Sequence, residues 1–267
     1  MSTLDKYGNL PLLQGIHLRD KVAIVTGAGA GIGKATAHIL AQAGCRIVIG
    51  EINDDWAATT AREIQEGGGT AIPVVMDVSI RQDAQRLAET ALEKFGTIDI
   101  LANIAGLYPP SLVADMKEED WDRVFDVNIK GTFNCCQAVV HTMMANHNGR
   151  IVNIASVDGM QPGIMAGRSG YGCSHYCSSK GAVITFTKCL AAEMAPFGVN
   201  VNAISPGWVA TEHALSGGRF YEGLKHVPLG RGAQPEEVGQ MVLLLTSPAA
   251  SFMTGENLVF SGGCVMD

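Results

Sequence analysis

The sequence lacks the features of a membrane or secreted protein. No window reaches the roughly 18 consecutive apolar residues that a membrane-spanning helix needs. Residues 1–7 do not have the basic and then apolar order of a signal peptide. We therefore expect no membrane association and a cytoplasmic location.

Positive charge is also scarce. The 267 residues carry a formal net charge of −7, and no run of basic residues interrupts the chain. Since nucleic-acid binding relies on clustered Lys and Arg, we expect no nucleic-acid partner.

The seven cysteines follow no pattern of a disulfide framework or a zinc site. Their number is odd, which argues against complete pairing. Cys173 and Cys177 lie four residues apart with His175 between them, but no second ligand pair has zinc spacing. We therefore expect reduced thiols and no metal.

What the chain does have is an alternation of short apolar runs and helix-period segments. Strands alternating with helices at this spacing predict βαβ units, a doubly wound parallel sheet and helices on both faces. The predicted strands are at 22–25, 47–49, 72–76, 98–101, 151–154, 199–204 and 258–260. The predicted helices are at 31–43, 54–66, 79–95, 118–146, 176–196 and 234–246.

The chain shows no internal repeat or linker, so one domain is expected over 19–267 after an N-terminal tail at 1–18. Two stretches are irregular and rich in glycine, 157–175 and 207–233. Long loops inside a compact domain are usually functional or disordered, which makes both stretches candidates for substrate contact.

A glycine-rich run directly follows the first predicted strand and opens the first helix: Thr26-Gly27-Ala28-Gly29-Ala30-Gly31-Ile32-Gly33. In this context Gly27 suits a tight turn, Gly31 a close approach of a diphosphate, and Gly33 close packing of helix on strand. The backbone amides at a helix N-terminus would then face the anion. The alternative is an ordinary turn of small residues.

Glu51 ends the second predicted strand, 18 residues after Gly33. An acidic residue at this distance binds the adenosine ribose hydroxyls and would repel a 2′-phosphate, so NAD is the predicted cofactor. Asp77, followed by Val78, could meet the adenine or could instead be an acid at a helix N-terminus. Small residues after the fourth strand, in the segment Asn103-Ile104-Ala105-Gly106, would let the cofactor pass closely.

Tyr176 and Lys180 are four residues apart and share one face of a helix. An ammonium beside a phenol favours the phenolate and lowers its pKa, which makes the Tyr usable as an acid and base. For an isolated pair, a simple amphipathic helix would be the preferred interpretation.

From about residue 20 onward the chain resembles the short-chain dehydrogenase/reductase family, in its short single-domain form. The resemblance rests on an ordered set of motifs rather than on any one of them. These are Thr26-Gly27-x-x-x-Gly31-x-Gly33, Asp77, Asn103-x-Ala105-Gly106, Asn128, Ser156, Tyr176-x-x-x-Lys180 and Pro206-Gly207-x-x-x-Thr211. It implies a Rossmann-type sheet of seven parallel strands and a homotetramer or dimer.

The resemblance also implies residue roles. Tyr176 would be the general acid and base, and Lys180 would lower its pKa and hold the nicotinamide ribose. Ser156 would bind the substrate oxygen, and Asn128 would hold a water that links Lys180 to solvent. The nicotinamide carboxamide would be gripped by Pro206, Gly207, Val209 and Thr211.

Asn128 has support from the pattern itself. It is the one amide on an apolar helical stripe with Trp121, Phe125, Thr132 and Cys136. A buried amide must find hydrogen-bond partners, which a proton relay would supply. The alternative is an Asn that stabilises a distorted helix.

The chain departs from the family pattern in three places. Ile104 stands where a second Asn is usual, and Ser261 precedes Gly262 and Gly263 where an Asp is usual. The connection from Ser156 to Tyr176 is longer than usual, with an insertion at about 159–175. We expect a changed local hydrogen bond at Ile104 without loss of activity, and an effect of Ser261 on subunit packing more than on chemistry. The insertion is expected to form part of the pocket wall or a subunit contact; the alternative is a surface insertion away from the site.

The predicted substrate pocket is apolar with a few polar groups. Its candidates are Tyr108, Val157, Asp158, Met160, Trp208 and His213. Asp158 and His213 are expected to be exposed to solvent. The substrate is expected to be a medium-sized secondary alcohol or ketone that is partly apolar or cyclic. The alternatives are a 3-oxoacyl thioester and an inactive, cofactor-binding partner subunit.

Overall fold

The computed structural model of the protein describes residues 16–162, 172–216 and 218–266. Residues 1–15 of the predicted tail at 1–18, and the middle of the predicted insertion, 163–171, lie outside these residues. Leu18 is buried, and its backbone N–H donates to the carbonyl of Ala43, so the packed domain begins by Leu18, slightly before the predicted boundary.

Seven parallel strands form one sheet in the order β3-β2-β1-β4-β5-β6-β7, as predicted. The chain order of the strands reverses between β1 and β4. In open α/β sheets, ligands bind at such a point, outside the carboxyl ends of the strands. The strands are β1 Val22–Thr26, β2 Arg46–Glu51, β3 Thr70–Val75, β4 Ile100–Asn103, β5 Gly149–Ile154, β6 Val199–Pro206 and β7 Asn257–Phe260.

Helices cover both faces of the sheet, also as predicted. They are α1 Gly31–Gln42, α2 Asp54–Glu66, α3 Arg81–Phe95, α4 Glu118–Phe125, α5 Gly131–Ala145, α6 Ser174–Met194, α7 Glu212–Leu215, α8 Arg219–Leu224 and α9 Pro235–Thr246. A π-helical turn, Asp126–Lys130, joins α4 to α5, so the predicted single helix at 118–146 is interrupted. Among the described residues, no helix is long and apolar enough to cross a membrane.

Two apolar layers hold the helices to the sheet. Successive strand residues point to opposite faces, so Ala23 and Val25 pack against α1, α2 and α9, while Val22 and Ile24 pack against α3, α5 and α6. The core is built from the predicted β-branched runs, and the polar residues of the site lie at the strand ends beyond it.

Candidate active site

The glycine-rich loop is folded so tightly that side chains are excluded from it. A Cβ on Gly33 would lie 2.0 Å from the carbonyl oxygen of Gly27, and a Cβ on Gly27 would lie 2.8 Å from Cα of Ala105. Gly27 and Gly31 also have φ of +64° and +50°, which favour glycine. The helix that follows has no side-chain cap, so its first amides can meet a diphosphate. The loop therefore fits a dinucleotide.

Glu51 is buried at the end of β2 and is held against this loop. One carboxylate oxygen accepts from the N–H of Gly29 at 3.0 Å, and the other accepts from Ile52 and Asn53 at 2.9 and 3.1 Å. These bonds fix the carboxylate at the adenosine end of the loop. They leave further lone pairs for the two hydroxyls of a ribose.

The segment after β4 connects the glycine loop to the reacting groups. The Thr26 hydroxyl accepts from the N–H of Ile104 and Ala105, at 3.0 and 3.3 Å. This bond uses the backbone of Ile104, so the missing second Asn does not remove it. On the other side, a Cβ on Gly106 would lie 3.4 Å from Nζ of Lys180.

Two predicted cofactor residues have their side chains engaged elsewhere. The Asn103 amide nitrogen donates to Asn153 Oδ1 at 2.9 Å inside the core. Asp77 Oδ1 accepts from the N–H and hydroxyl of Ser79 in the turn before α3, so Asp77 does not cap that helix, whose N-cap residue is Ile80. Val78 is buried against Gly131. Contact of Asn103, Asp77 and Val78 with a cofactor stays a prediction.

Tyr176 lies in the first turn of α6, where its hydroxyl contacts Ser156. Ser156 is buried beyond the end of β5, and its Oγ accepts from the N–H of Asp158 at 3.1 Å. Burial raises the pKa of Tyr176 well above its usual value, and the Ser156 contact only partly offsets this. The raised pKa keeps the phenol protonated at neutral pH, and the expected lowering by Lys180 stays a prediction.

Lys180 is buried one turn further along α6 and donates to the carbonyl of Ile154 at 2.7 Å. Its Nζ lies 5.9 Å from the centre of the Tyr176 ring. Burial lowers the pKa of Lys180 to about 8, because the ammonium has lost most of its hydration. At neutral pH most of Lys180 still carries its proton, so an ammonium remains on the same helix face as the phenol.

Asn128 sits in the π-helical turn and is fully buried. Its amide binds the backbone of Leu107 twice, accepting from the N–H at 2.7 Å and donating to the carbonyl at 2.9 Å. It also donates to the hydroxyl of Ser179 at 2.9 Å. Asn128 therefore lies in a distorted helix, as the alternative interpretation expected, and it also lies beside Lys180, as a relay would need. The water relay stays a prediction.

The segment after β6 closes over the glycine loop. The N–H of Gly207, which follows Pro206, donates to Phe260, and Val209 pairs with Ala233. The side chain of Thr211 caps α7, and its methyl group lies 3.1 Å from where a Cβ of Gly31 would be. This brings the predicted carboxamide-binding stretch to the diphosphate end of the loop.

Two substrate-pocket candidates form a wall beside Tyr176. The Tyr108 ring is 6.0 Å from that of Tyr176 and 5.1 Å from that of His213, which it meets edge to face. The Tyr108 hydroxyl also contacts Thr211. His213 is exposed, as expected.

The other candidates lie in different surroundings. Asp158 is only 7 % exposed, so its expected solvent exposure was wrong, because the turn after Ser156 packs under α6. Val157 is buried with it. Trp208 packs on Phe220 and Gly223 of α8. Met160 accepts from Asn257 and lines a cavity of about 350 Å³ beside β7.

Several supporting groups were not predicted. Ile154, Leu107 and Ser179 position Lys180 and Asn128, the first two through backbone atoms. A contact made by backbone atoms does not depend on the residue type, so the sequence could not indicate the contacts of Ile154 and Leu107. Ser179, in contrast, lies inside the Tyr176–Lys180 stretch, where a polar residue next to a buried Lys could have been noticed.

Comparison with known proteins agrees with this geometry. A family model described as Enoyl-(Acyl carrier protein) reductase matches residues 27–265. The chain is 38% identical over 253 residues to 3-oxoacyl-[acyl-carrier-protein] reductase FabG of Thermotoga maritima, covering 94% of this chain and 100% of that one. It is also 38% identical over 250 residues to NAD-dependent glycerol dehydrogenase of Listeria innocua, covering 92% and 94%.

A solved structure is similar along the whole domain. A short-chain type dehydrogenase/reductase from Mycobacterium marinum superposes with a TM-score of 0.87 and 33% identity. The match covers 94% of this chain and 98% of that chain.

Proposed function

Because the chain belongs to the short-chain dehydrogenase/reductase family of oxidoreductases, which use a nicotinamide cofactor, we propose that it is an NAD(H)-dependent enzyme that interconverts a secondary alcohol and a ketone. One observation carries the proposal. The Tyr176 hydroxyl contacts Ser156, and the buried Lys180 lies one turn away on α6. Lys180 also lies close to Gly106, in the segment that contacts the glycine loop.

Glu51 supports NAD over NADP. Its carboxylate is fixed by three backbone amides at the adenosine end of the loop, where a 2′-phosphate would meet a negative charge. The similar Listeria innocua protein is named as NAD-dependent, which agrees with this assignment.

The residues divide the chemistry of the reaction among them. When bound, the nicotinamide supplies or accepts the hydride. Tyr176 gives its hydroxyl proton to the ketone oxygen in reduction and takes the proton back in oxidation. Ser156 holds the same oxygen and keeps it in line with the phenol. Lys180 would hold the ribose hydroxyls of the cofactor, and its ammonium would stabilise the phenolate when it forms.

The protonation state of Tyr176 suits reduction at neutral pH. The raised pKa of Tyr176 keeps its proton on the oxygen, which is the form that a ketone needs. Oxidation needs the phenolate instead, so it gains from higher pH or from a positive charge beside the ring.

The substrate is proposed to be a medium-sized alcohol or ketone with an apolar part. Tyr108 and His213 form an aromatic wall next to the reacting phenol. A 3-oxoacyl thioester is the second candidate, favoured by the 3-oxoacyl-[acyl-carrier-protein] reductase among the similar proteins. An inactive partner subunit would bind the cofactor without turnover.

A substrate panel separates these candidates. Purified protein is assayed with cyclic and linear secondary alcohols, glycerol, and hydroxyacyl and oxoacyl thioesters, with NAD(H) and NADP(H), while nicotinamide absorbance is followed. Turnover of alcohols and not of thioesters would support the leading proposal. Cofactor binding with no turnover of any compound would overturn it.

Tyr176→Phe tests the assignment of the proton donor. We expect turnover to fall by about 10²–10⁴-fold, because a general acid is lost, while NADH affinity stays close to that of the wild type. Tyr221→Phe is the matched control, since Tyr221 is 59% exposed on α8 and should keep full activity. Substantial residual turnover in Tyr176→Phe would exclude this role.

A further inference from the structure

Two thiols flank the proposed proton donor at the start of α6. Cys173 is the N-cap residue of the helix, and Cys177 lies one turn on, with its N–H donating to the Cys173 carbonyl at 2.8 Å. Their sulfur atoms are 3.4 Å apart. Among the described residues, no group of three or more His, Cys, Asp or Glu is placed to hold a metal ion.

The two thiols differ in access and reactivity. Cys173 is half-buried, whereas Cys177 is only 5% exposed. The hydrogen bond with Cys177 lowers the pKa of Cys173 to about 7, with help from Arg219 and against burial and Asp158. A helix N-terminus also favours a thiolate. Cys173 is therefore the sulfur that an oxidant would meet first, and Cys177 is placed to resolve the product.

We propose that Cys173 and Cys177 are a redox pair, which a peroxide converts to a disulfide that switches the enzyme off reversibly. The Cys173 thiolate attacks hydrogen peroxide, forming an S–O bond as the O–O bond breaks and hydroxide leaves. The Cys177 sulfur then displaces the oxygen as water and forms the S–S bond. Overall, two thiols lose two electrons and two protons, and the peroxide is reduced to two waters.

Closing the bond must disturb the first turn of α6. The sulfur atoms have to approach from 3.4 Å to about 2.05 Å. Residues four apart on a helix keep their Cβ atoms about 5–6 Å apart, whereas a disulfide needs about 3.5–4.5 Å. The turn that must yield contains Tyr176, and a misplacement of about 1 Å at a reacting group costs on the order of a hundredfold in rate.

The first test is chemical and needs no substrate. Reduced full-length protein is treated with hydrogen peroxide and blocked with iodoacetamide, and its peptides are mapped by mass spectrometry. We expect a Cys173–Cys177 disulfide to form before other thiols are modified. We also expect faster hydrogen–deuterium exchange in the peptide around Tyr176, with both changes reversed by dithiothreitol. The proposal would be overturned if no such disulfide forms, or if it forms only after the exposed Cys189 has been oxidised.

The second test uses turnover of the substrate found in the panel, so a failure of the proposed function leaves the first test intact. Peroxide should lower wild-type activity on the order of a hundredfold, and dithiothreitol should restore it. Cys173→Ser keeps a good N-cap and should fold, be active and resist peroxide. Cys177→Ser should form no internal disulfide, and Cys189→Ser should behave like the wild type. Equal, dithiothreitol-reversible inactivation of Cys173→Ser and wild type would contradict the switch.

Discussion

At the scale of single residues, Glu51 shows how one carboxylate can set cofactor choice. In Glu51→Ser the N–H groups of Gly29, Ile52 and Asn53 lose their acceptor and become donors for an anion. We expect NADH affinity to fall about 10-fold or more and NADPH affinity to rise by a similar factor, since charge-assisted hydrogen bonds are worth about 1.5–3 kcal/mol. Titration calorimetry with both cofactors measures this.

The wild type is the reference for that titration and should bind NADH far better than NADPH. Asn53→Ser is a matched control, because it alters a neighbouring side chain and leaves the carboxylate in place. Equal affinity of the wild type for the two cofactors would refute the role of Glu51.

Lys180 shows the cost of burying a charge for function. Its pKa is lowered from 10.5 to about 8, so at pH 7 the folded state keeps a buried ammonium at a cost on the order of 3 kcal/mol. Lys180→Met removes this cost and also the hydrogen bond to Ile154, worth about 1 kcal/mol. We expect the variant to be inactive but about 2 kcal/mol more stable at pH 7, as measured by urea unfolding.

The pH dependence of that difference follows from the same shift. Between about pH 8 and pH 10.5 the unfolded wild-type chain holds a proton on Lys180 that the folded chain has released. Wild-type stability therefore gains relative to Lys180→Met as pH rises through this window. A difference in unfolding free energy that stays constant up to about pH 10 would show that the buried ammonium is not its source.

At the scale of elements, the packing of α1 against β1 depends on the absence of a side chain at Gly33. A Cβ there would lie 2.0 Å from the Gly27 carbonyl oxygen, and this backbone atom cannot move without opening the turn. We expect Gly33→Ala to cost about 2–3 kcal/mol of unfolding free energy and to weaken NADH binding at least tenfold.

Gly218→Ala provides the comparison for Gly33→Ala in the same urea and NADH titrations. No atom lies within 4 Å of a Cβ at Gly218, so this variant should stay within about 0.5 kcal/mol of the wild type. If Gly33→Ala and Gly218→Ala lost equal stability and equal NADH affinity, the tight fit at Gly33 would not explain the effect of Gly33→Ala.

The elements also show what the sequence can and cannot predict. All seven strands were predicted because each combines a short β-branched run with turn residues at its ends. The π-helical turn at Asp126–Lys130 was missed, because the apolar stripe through Asn128 continues across it at helical spacing. The helices α7 and α8 were missed because four and six residues are too few to show a period.

The site was predicted in its residue types but not in its electrostatics. The spacing of Tyr176 and Lys180 correctly indicated that they share a helix face. It contained no information on burial, which raises the pKa of the phenol and lowers that of the ammonium. Asp158 was misjudged for the same reason, since a carboxylate in a glycine-rich stretch looks exposed until the turn is seen packed under α6.

At the scale of the whole molecule, apolar surface remains uncovered on the single chain. Phe133 on α5 is 41% exposed and lies 6.3 Å from the ring of Phe186 on α6. At one edge of the sheet, β7 pairs only with β6 among the described strands, so its outer side is open. Exposed aromatic clusters and open sheet edges are surfaces that oligomers cover.

We therefore expect a homotetramer, in which one kind of contact uses the Phe133 surface and the other uses the β7 edge. Replacing Phe133 with Glu places a charge in the first contact only, so the mass by light scattering should fall to that of a dimer. Ile80→Glu is the control, since Ile80 is 47% exposed at the start of α3 and its variant should keep the wild-type mass. A monomeric wild type, or an unchanged mass in Phe133→Glu, would show that α5 is not an assembly surface.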